Sequence, residues 1–260
     1  MIPGFSPRLL VVIIASGRDY QEAAAWAAPT FACKLPQAKN VSVLLPEQEI
    51  VIDPLAHHAL KFGFQIQRFP LHAAADEMLT SRLKCQAFAF AVSRLQPDEL
   101  LFLVDADTCC LKQLIISTEI AEQILQGQIG LAPDIVDRHF QKETDPWFLT
   151  PEERNTYVNS GVVLAAATSL DLFKSFRKLS EQPLFLCGPF HDQKVINFAL
   201  GKYFRNRLVL LDPIYNGMNP VRSTRTLIAH YAGGAGYLGS QSRKIVHQEM
   251  CEGILVEGGG

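Results

Sequence analysis

Four short runs of the chain are dense in Val, Ile, Leu and Phe and stop at turn-forming residues: LLVVIIA at 9–15, VSVLL at 41–45, FQIQRF at 64–69 and LLFLV at 100–104. Their length and β-branched content predict strands, and their two-sided apolar character predicts parallel neighbours. DYQEAAAWAA follows the first run and ADEMLTSRLKCQAFAFAVSRL the third, both with helical composition. The first half therefore alternates β and α, which predicts an α/β fold whose sheet is covered on both faces. Beyond residue 111 the pattern predicts a helix over ISTEIAEQILQ and a strand over IGLAP, then a polar, proline-punctuated loop at 134–155. A strand over TYVNSGVVLAAA follows, then a capped helix over SLDLFKSFRKLSEQ and a helix over FHDQKVINFALG ending at Gly201. RLVLL and TRTLIAHYA read as the last strands, and GGAGYLG as a turn.

At 260 residues, with 48% apolar and 19% charged residues, one large core is expected. The chain is read as one domain over 1–260, with Gly258, Gly259 and Gly260 disordered. A net charge of −2 gives no attraction to nucleic acid or anionic lipid. The six cysteines form no CxxC pair and no disulfide framework, which points to a reducing compartment. The apolar run Leu9–Ala15 is too short to span a bilayer and lacks the basic start of a secretory signal, so a cytoplasmic protein without a transmembrane segment is expected.

The fourth apolar run ends on Asp105-Ala106-Asp107. In an open α/β sheet, ligands sit beyond the carboxyl ends of the strands, which is where this pair falls. Residues i and i+2 of an extended backbone point the same way, so both carboxylates can approach one hard cation. A lone DxD is otherwise a solvated turn in which Asp107 caps the next helix. The phosphatase signature hhhhDxDxT, with a nucleophilic first aspartate, is a further alternative; it wants threonine where this chain has Cys109.

Taken in order, SRLKCQAFAF, LFLVDADT, LAPD, YVNSGVVL, HDQKVINF and IAHYAGG resemble glycosyltransferase family 8, the GT-A group that includes glycogenin and bacterial lipopolysaccharide hexosyltransferases. The resemblance implies a mixed, mostly parallel GT-A sheet flanked by helices. It implies retaining transfer of a hexose from a UDP-sugar to an acceptor whose nature, whether glycan, lipid-linked sugar, protein or small alcohol, leaves no trace in the sequence. It implies a divalent metal, manganese before magnesium, held by Asp105, Asp107 and His230. An imidazole among the ligands favours Mn²⁺, nitrogen being softer than oxygen.

By the same resemblance the donor is held by Ala15, Ser16 and Tyr20 after the first strand, by Arg82, by Asp105, Ala106 and Asp107, by Asn159 and Ser160, and by Gly233. Asp192 and Gln193 fall near the reacting carbon and are the catalytic candidates; at a helix start, Asp192 also reads as a dipole-favoured cap. Arg82, which matches a family lysine that approaches the donor, is preferred to Lys84, and residues two apart on a helix cannot both face it. Gly161 leaves room for a bulge or a close approach. The family lysine that contacts the diphosphate is replaced by Gly236, leaving the GGAG backbone, Arg243 or Lys244 as substitutes. His139, Phe140, Trp147 and Phe148 in the long loop are candidates for an acceptor platform or lid. Two further readings are a sugar-nucleotide-binding protein of the same fold that has lost turnover and a sugar nucleotidyltransferase, the latter lacking its glycine-rich loop.

Overall fold

The computed structural model describes residues 7–71, 80–134, 150, 156–185, 191–218, 224–231 and 241–257. In chain order the strands are β1 (Arg8–Ile14), β2 (Val41–Pro46), β3 (Gln65–Phe69), β4 (Glu99–Asp105), β5 (Thr108–Cys110), β6 (Ile129–Pro133), β7 (Val158–Ala166), β8 (Leu208–Leu210), β9 (Gly217–Met218) and β10 (Ile228–His230). The α-helices among the described residues are α1 (Arg18–Lys34), α2 (Asp53–Phe62), α3 (Thr80–Val92), α4 (Thr118–Leu125), α5 (Leu170–Ser180), α6 (His191–Lys202) and α7 (Gln241–Glu257).

Seven strands form one sheet in the order β3-β2-β1-β4-β7-β6-β8, and β5-β10-β9 form a second, small one. The β3–β2, β2–β1, β1–β4 and β6–β8 pairs are parallel, while β7 runs antiparallel to β4 and β6. The two-sided apolar runs are explained by the period-two alternation of a strand. Val11 and Ile13 of β1 join a core layer with α1, α2 and α4, whereas Val12 and Ile14 join the opposite layer with α3, α5 and α6. A third, smaller cluster joins Cys109, Tyr231, Cys251 and Ile254, fastening α7 over the second sheet.

Two helices escaped the sequence reading. The ten-residue α2 has proline in its first turn and ends at Gly63, which has φ 75°, the usual start and stop signals. It also completes α1. Pro29 sits inside α1 and has no N–H for the carbonyl of Ala25, four residues back. His58 of α2 supplies that hydrogen bond from Nδ1 at 2.6 Å, sparing a buried acceptor that would cost about 1–3 kcal/mol if left unpaired. The second missed helix, α7, carries buried His247, whose Nε2 bonds Thr108 O at 3.0 Å.

The chain runs outward from β1 to β2 and β3, then returns to place β4 on the other side of β1. This reversal is a topological switch point, and the crevice at its carboxyl end is where α/β sheets bind ligands. Ile14 is the register partner of Asp105, so Ala15, Ser16 and the acidic pair emerge side by side there. No described helix is long and apolar enough to cross a membrane. Gly258–Gly260 and the aromatic loop with His139, Phe140, Trp147 and Phe148 lie outside the described residues.

Candidate active site

Asp105 is the last residue of β4, and the backbone does not stay extended beyond it. Ala106 and Asp107 form a turn, closed by a 2.7 Å hydrogen bond from Thr108 Oγ1 to Asp105 O. The expected i, i+2 alignment on a strand is thus replaced by a turn that brings the two acids together, while Ala106 turns its methyl into the core. Asp107 does not cap the next helix, because Ser117 does so for α4. The chain then pairs β5 antiparallel with β10, setting His230 opposite Thr108. His230 Nε2 lies 3.4 Å from Asp107 Oδ1 and 3.7 Å from Asp105 Oδ2.

One ligand atom from each of Asp105, Asp107 and His230 lies within 4.8 Å of the others. Adjacent ligands of an octahedral ion with bonds of about 2.1 Å stand about 3 Å apart, so small rotamer adjustments close the set on a cation. Two carboxylates and an imidazole are the donor chemistry that a divalent ion such as Mn²⁺ accepts.

Burial pushes the Asp105 carboxyl above the usual range, despite Lys84 and His230 nearby. For Asp107 burial acts the same way, but the His230 contact outweighs it and the group is shifted down. Burial opposes the His230 imidazolium, and the two carboxylates overcome that to shift it up. The Tyr20 hydroxyl is pushed up to about 12, by burial first and then by the negative charge of Asp107 and Asp105. Tyr20, in the first turn of α1, therefore belongs electrostatically to the same cleft.

Lys84, not Arg82, projects into the acid cluster. Its Nζ stands 2.7 Å from Asp105 Oδ1, 2.8 Å from Asp192 Oδ2 and 3.4 Å from Ser160 Oγ. Arg82, on another face of α3, donates to Ser180 O of α5. The two residues do point apart, as helical geometry requires, and the three-dimensional packing selects the one set aside by the sequence reading. Burial disfavours the Lys84 ammonium, but Asp105 and Asp192 raise its pKa well beyond the ordinary lysine range. Asp192 is shifted down, since Lys84 and a 2.6 Å bond from Ser160 Oγ outweigh its burial.

Next to this charged group lie buried amides. Gln193 Oε1 accepts from Asn159 Nδ2 at 3.0 Å and Ser160 N at 3.3 Å, while Gln193 Nε2 donates to Asp134 Oδ2 at 2.6 Å. Gly161 serves packing: a Cβ built there would fall 2.0 Å from His230 Cε1. Gly161→Ala is expected to cost about 1–3 kcal/mol of overpacking. It must also move the His230 ring, so denaturant melts and Mn²⁺ titration of this variant should both show losses.

At the amino end, the Ser16 hydroxyl and the Gly17 N–H donate to the Glu49 carboxylate, which also receives Gln21 Nε2 at 3.0 Å. Glu49 had no signal in the sequence, since it reaches this position only through the β1–β2 pairing. Lys244 Nζ pairs with Asp19 at 2.7 Å, beside Tyr20. Gly233 and Gly236 lie outside the described residues.

The chain has the mixed α/β fold of GT-A glycosyltransferases, shown by its superposition on solved structures. No family model matches the sequence. No curated protein matches it either. Solved structures do. A galactosyltransferase, LgtC, in complex with donor and acceptor sugar analogues, superposes with TM-score 0.64 at 14% identity over 95% of each chain. GlyE of Streptococcus pneumoniae gives 0.59 at 15% identity over 97% of this chain and 63% of its own. Mouse xyloside xylosyltransferase 1 gives 0.56 at 14% identity over 86% and 97%. The fold implied by the motif series is the fold the chain has, and the phosphatase alternative is set aside on that ground.

Proposed function

We propose that this protein is a retaining glycosyltransferase that moves a hexose from a UDP-sugar to an acceptor hydroxyl with a divalent cation, Mn²⁺ before Mg²⁺. The observation carrying this reading is the convergence of Asp105, Asp107 and His230 at the switch-point crevice of a GT-A sheet. When bound, the cation neutralises charge that develops on the departing diphosphate.

The chain's own residues supply the rest. Ala15, Ser16 and Tyr20 lie at the carboxyl end of β1 beside the acids and are proposed to hold the nucleotide; Gly233, outside the described residues, is proposed as a donor contact from the resemblance alone. Asn159 and Ser160 offer hydrogen bonds to sugar hydroxyls. Lys84 replaces Arg82 in the proposed donor set. Asp192 and Gln193 face the reacting carbon in this reading. Gln193 Oε1 already accepts two hydrogen bonds, and Oδ2 of Asp192 is held by both Lys84 and Ser160. Oxygens so engaged are weak nucleophiles, which favours front-face transfer, with the leaving diphosphate taking the acceptor's proton. Asp192 then stabilises positive charge at the anomeric carbon without bonding to it.

Calorimetry with UDP-glucose and UDP-galactose, with and without Mn²⁺, tests the assignment: metal-dependent binding and donor turnover are expected. Absence of metal-dependent heat with every nucleotide sugar tried would remove the reading. Binding without transfer or hydrolysis would identify a sugar-nucleotide-binding protein, and a glycosyl adduct on Asp192 in intact-protein mass spectra would overturn front-face transfer.

A further inference from the structure

We propose that Asn216, a residue outside the motif series, is a positioning residue that fixes the tautomer of His230 and thereby keeps Nε2 bare toward the acidic pair. The proposal deepens the metal-site reading and rests on it for its purpose, but not for its geometry.

A single file of hydrogen bonds crosses the floor of the cleft. His230 Nδ1 lies 2.9 Å from Asn216 Oδ1, and Asn216 Nδ2 donates to Asn159 Oδ1 at 2.8 Å. Asn159 Nδ2 donates to Gln193 Oε1, and Gln193 Nε2 ends the file on Asp134 Oδ2. An amide side chain can be turned end for end, so the direction of such a file needs fixed donors or acceptors. Three are present. The Asp134 carboxylate accepts only, the Ser160 N–H donates to Gln193 Oε1, and the Gly161 N–H donates to Asn159 Oδ1 at 2.8 Å. Backbone N–H groups cannot reverse. They require both oxygens to face β7, which makes Asn159 Oδ1 the acceptor for Asn216 Nδ2.

Asn216 therefore has its oxygen, and not its nitrogen, against His230. An amide oxygen is an acceptor, so the proton of the neutral ring must sit on Nδ1, leaving the Nε2 lone pair toward Asp105 and Asp107. Asn216 is fully buried and His230 is 3% exposed, so water does not compete for these bonds. Asn216 itself is held in a short 3₁₀ turn (Pro213–Asn216) whose Asp212 cap accepts from Ile214 N at 2.9 Å. Partners of this kind orient histidine ligands, and their loss costs about 10–100-fold in metal affinity.

The test combines nitrogen-15 NMR of the histidine rings, with His230 assigned through His230→Ala, and Mn²⁺ titration by electron paramagnetic resonance on the full chain. At alkaline pH, without metal, wild-type His230 is expected as the Nδ1–H tautomer; an Nε2–H tautomer overturns the proposal. Asn216→Leu removes the acceptor and is expected to mix the tautomers and weaken Mn²⁺ binding about 10–100-fold. An unchanged affinity and tautomer in that variant overturn it. Asn216→Asp keeps an acceptor against Nδ1 but sets its other oxygen against Asn159 Oδ1, so the Nδ1–H tautomer is expected together with a loss of stability. Should the leucine variant not fold, the aspartate variant decides: an Nε2–H tautomer of His230 in it overturns the proposal. The tautomer is read without donor or metal, so a protein that transfers no sugar yet shows the expected ring states loses only the transferase assignment.

Discussion

Lys84→Met is expected to lower stability more than any other single change at the site, and to lower transfer as well. The Lys84 side chain is 14% exposed, and its Nζ sits between Asp105 and Asp192 at 2.7 and 2.8 Å. Methionine fills much of the same volume but leaves two part-buried carboxylates, Asp105 and Asp192, without the ammonium between them. Breaking a buried pair in this way costs about 3–5 kcal/mol. For a chain of this size that corresponds to a melting point lower by about 6–20 °C. The pH dependence has a definite sign. Asp192 is depressed in the native protein, with Lys84 the largest stabilising cause. Its contribution is therefore present above the unfolded carboxylate pKa of about 3.9 and is lost as pH falls through the lower folded value. The stability gap between variant and wild type should be full at neutral pH and shrink on acidification, as urea melts across a pH series will show. Beyond the folded fraction, kcat/KM should fall about 10²–10³-fold, because the donor site loses a preorganised cation.

Asp105→Asn should separate function from stability in the opposite sense. Burial raises the Asp105 pKa, so ionising it above that folded pKa costs the native state stability. Asparagine keeps the shape and removes that cost, while Lys84 retains Asp192 as partner. In the absence of metal, the variant is expected to unfold at the same or a higher urea concentration than wild type. Mn²⁺ affinity should fall at least about 100-fold, since asparagine is a far weaker ligand, and transfer about 10³-fold. A variant that gains stability while losing the cation is the trade expected where repelling acids are held together for chemistry. A large loss of stability would show instead that Asp105 serves mainly as a counterion to Lys84.

These two residues also mark where sequence reading succeeds and where it stops. Asp105 announces itself, since a buried strand that ends on DAD has few structural uses. Lys84 does not. Helical spacing shows that Arg82 and Lys84 face different ways, yet says nothing about which way the cleft lies. That depends on how α3 packs against α5 and α6, elements remote in sequence. Glu49 and Asn216 are similar cases, since neither stands in a motif and each is delivered by pairing between segments far apart. The helices α2 and α7 were missed for a different reason. The first is short, although its Asp-Pro start and Gly63 stop were readable, and α7 has a mixed surface in which His247 and Cys251 are buried but Ile245 and Val256 are exposed.

From sequence alone came the strands of the sheet's first half, their parallel pairing, the α/β class and the position of the acidic pair at a strand's end. All of these follow from local apolar density and from period-two burial, properties carried by neighbouring residues. The tertiary structure alone decided that Asp107 lies on a turn, that a three-residue strand sets His230 opposite Thr108 and so beside Asp107, that Gly161 yields its side-chain space to that ring, and that Lys84 completes the cluster. All but the turn depend on contacts between residues tens to more than a hundred positions apart, and such contacts leave no period in the chain from which they could be read.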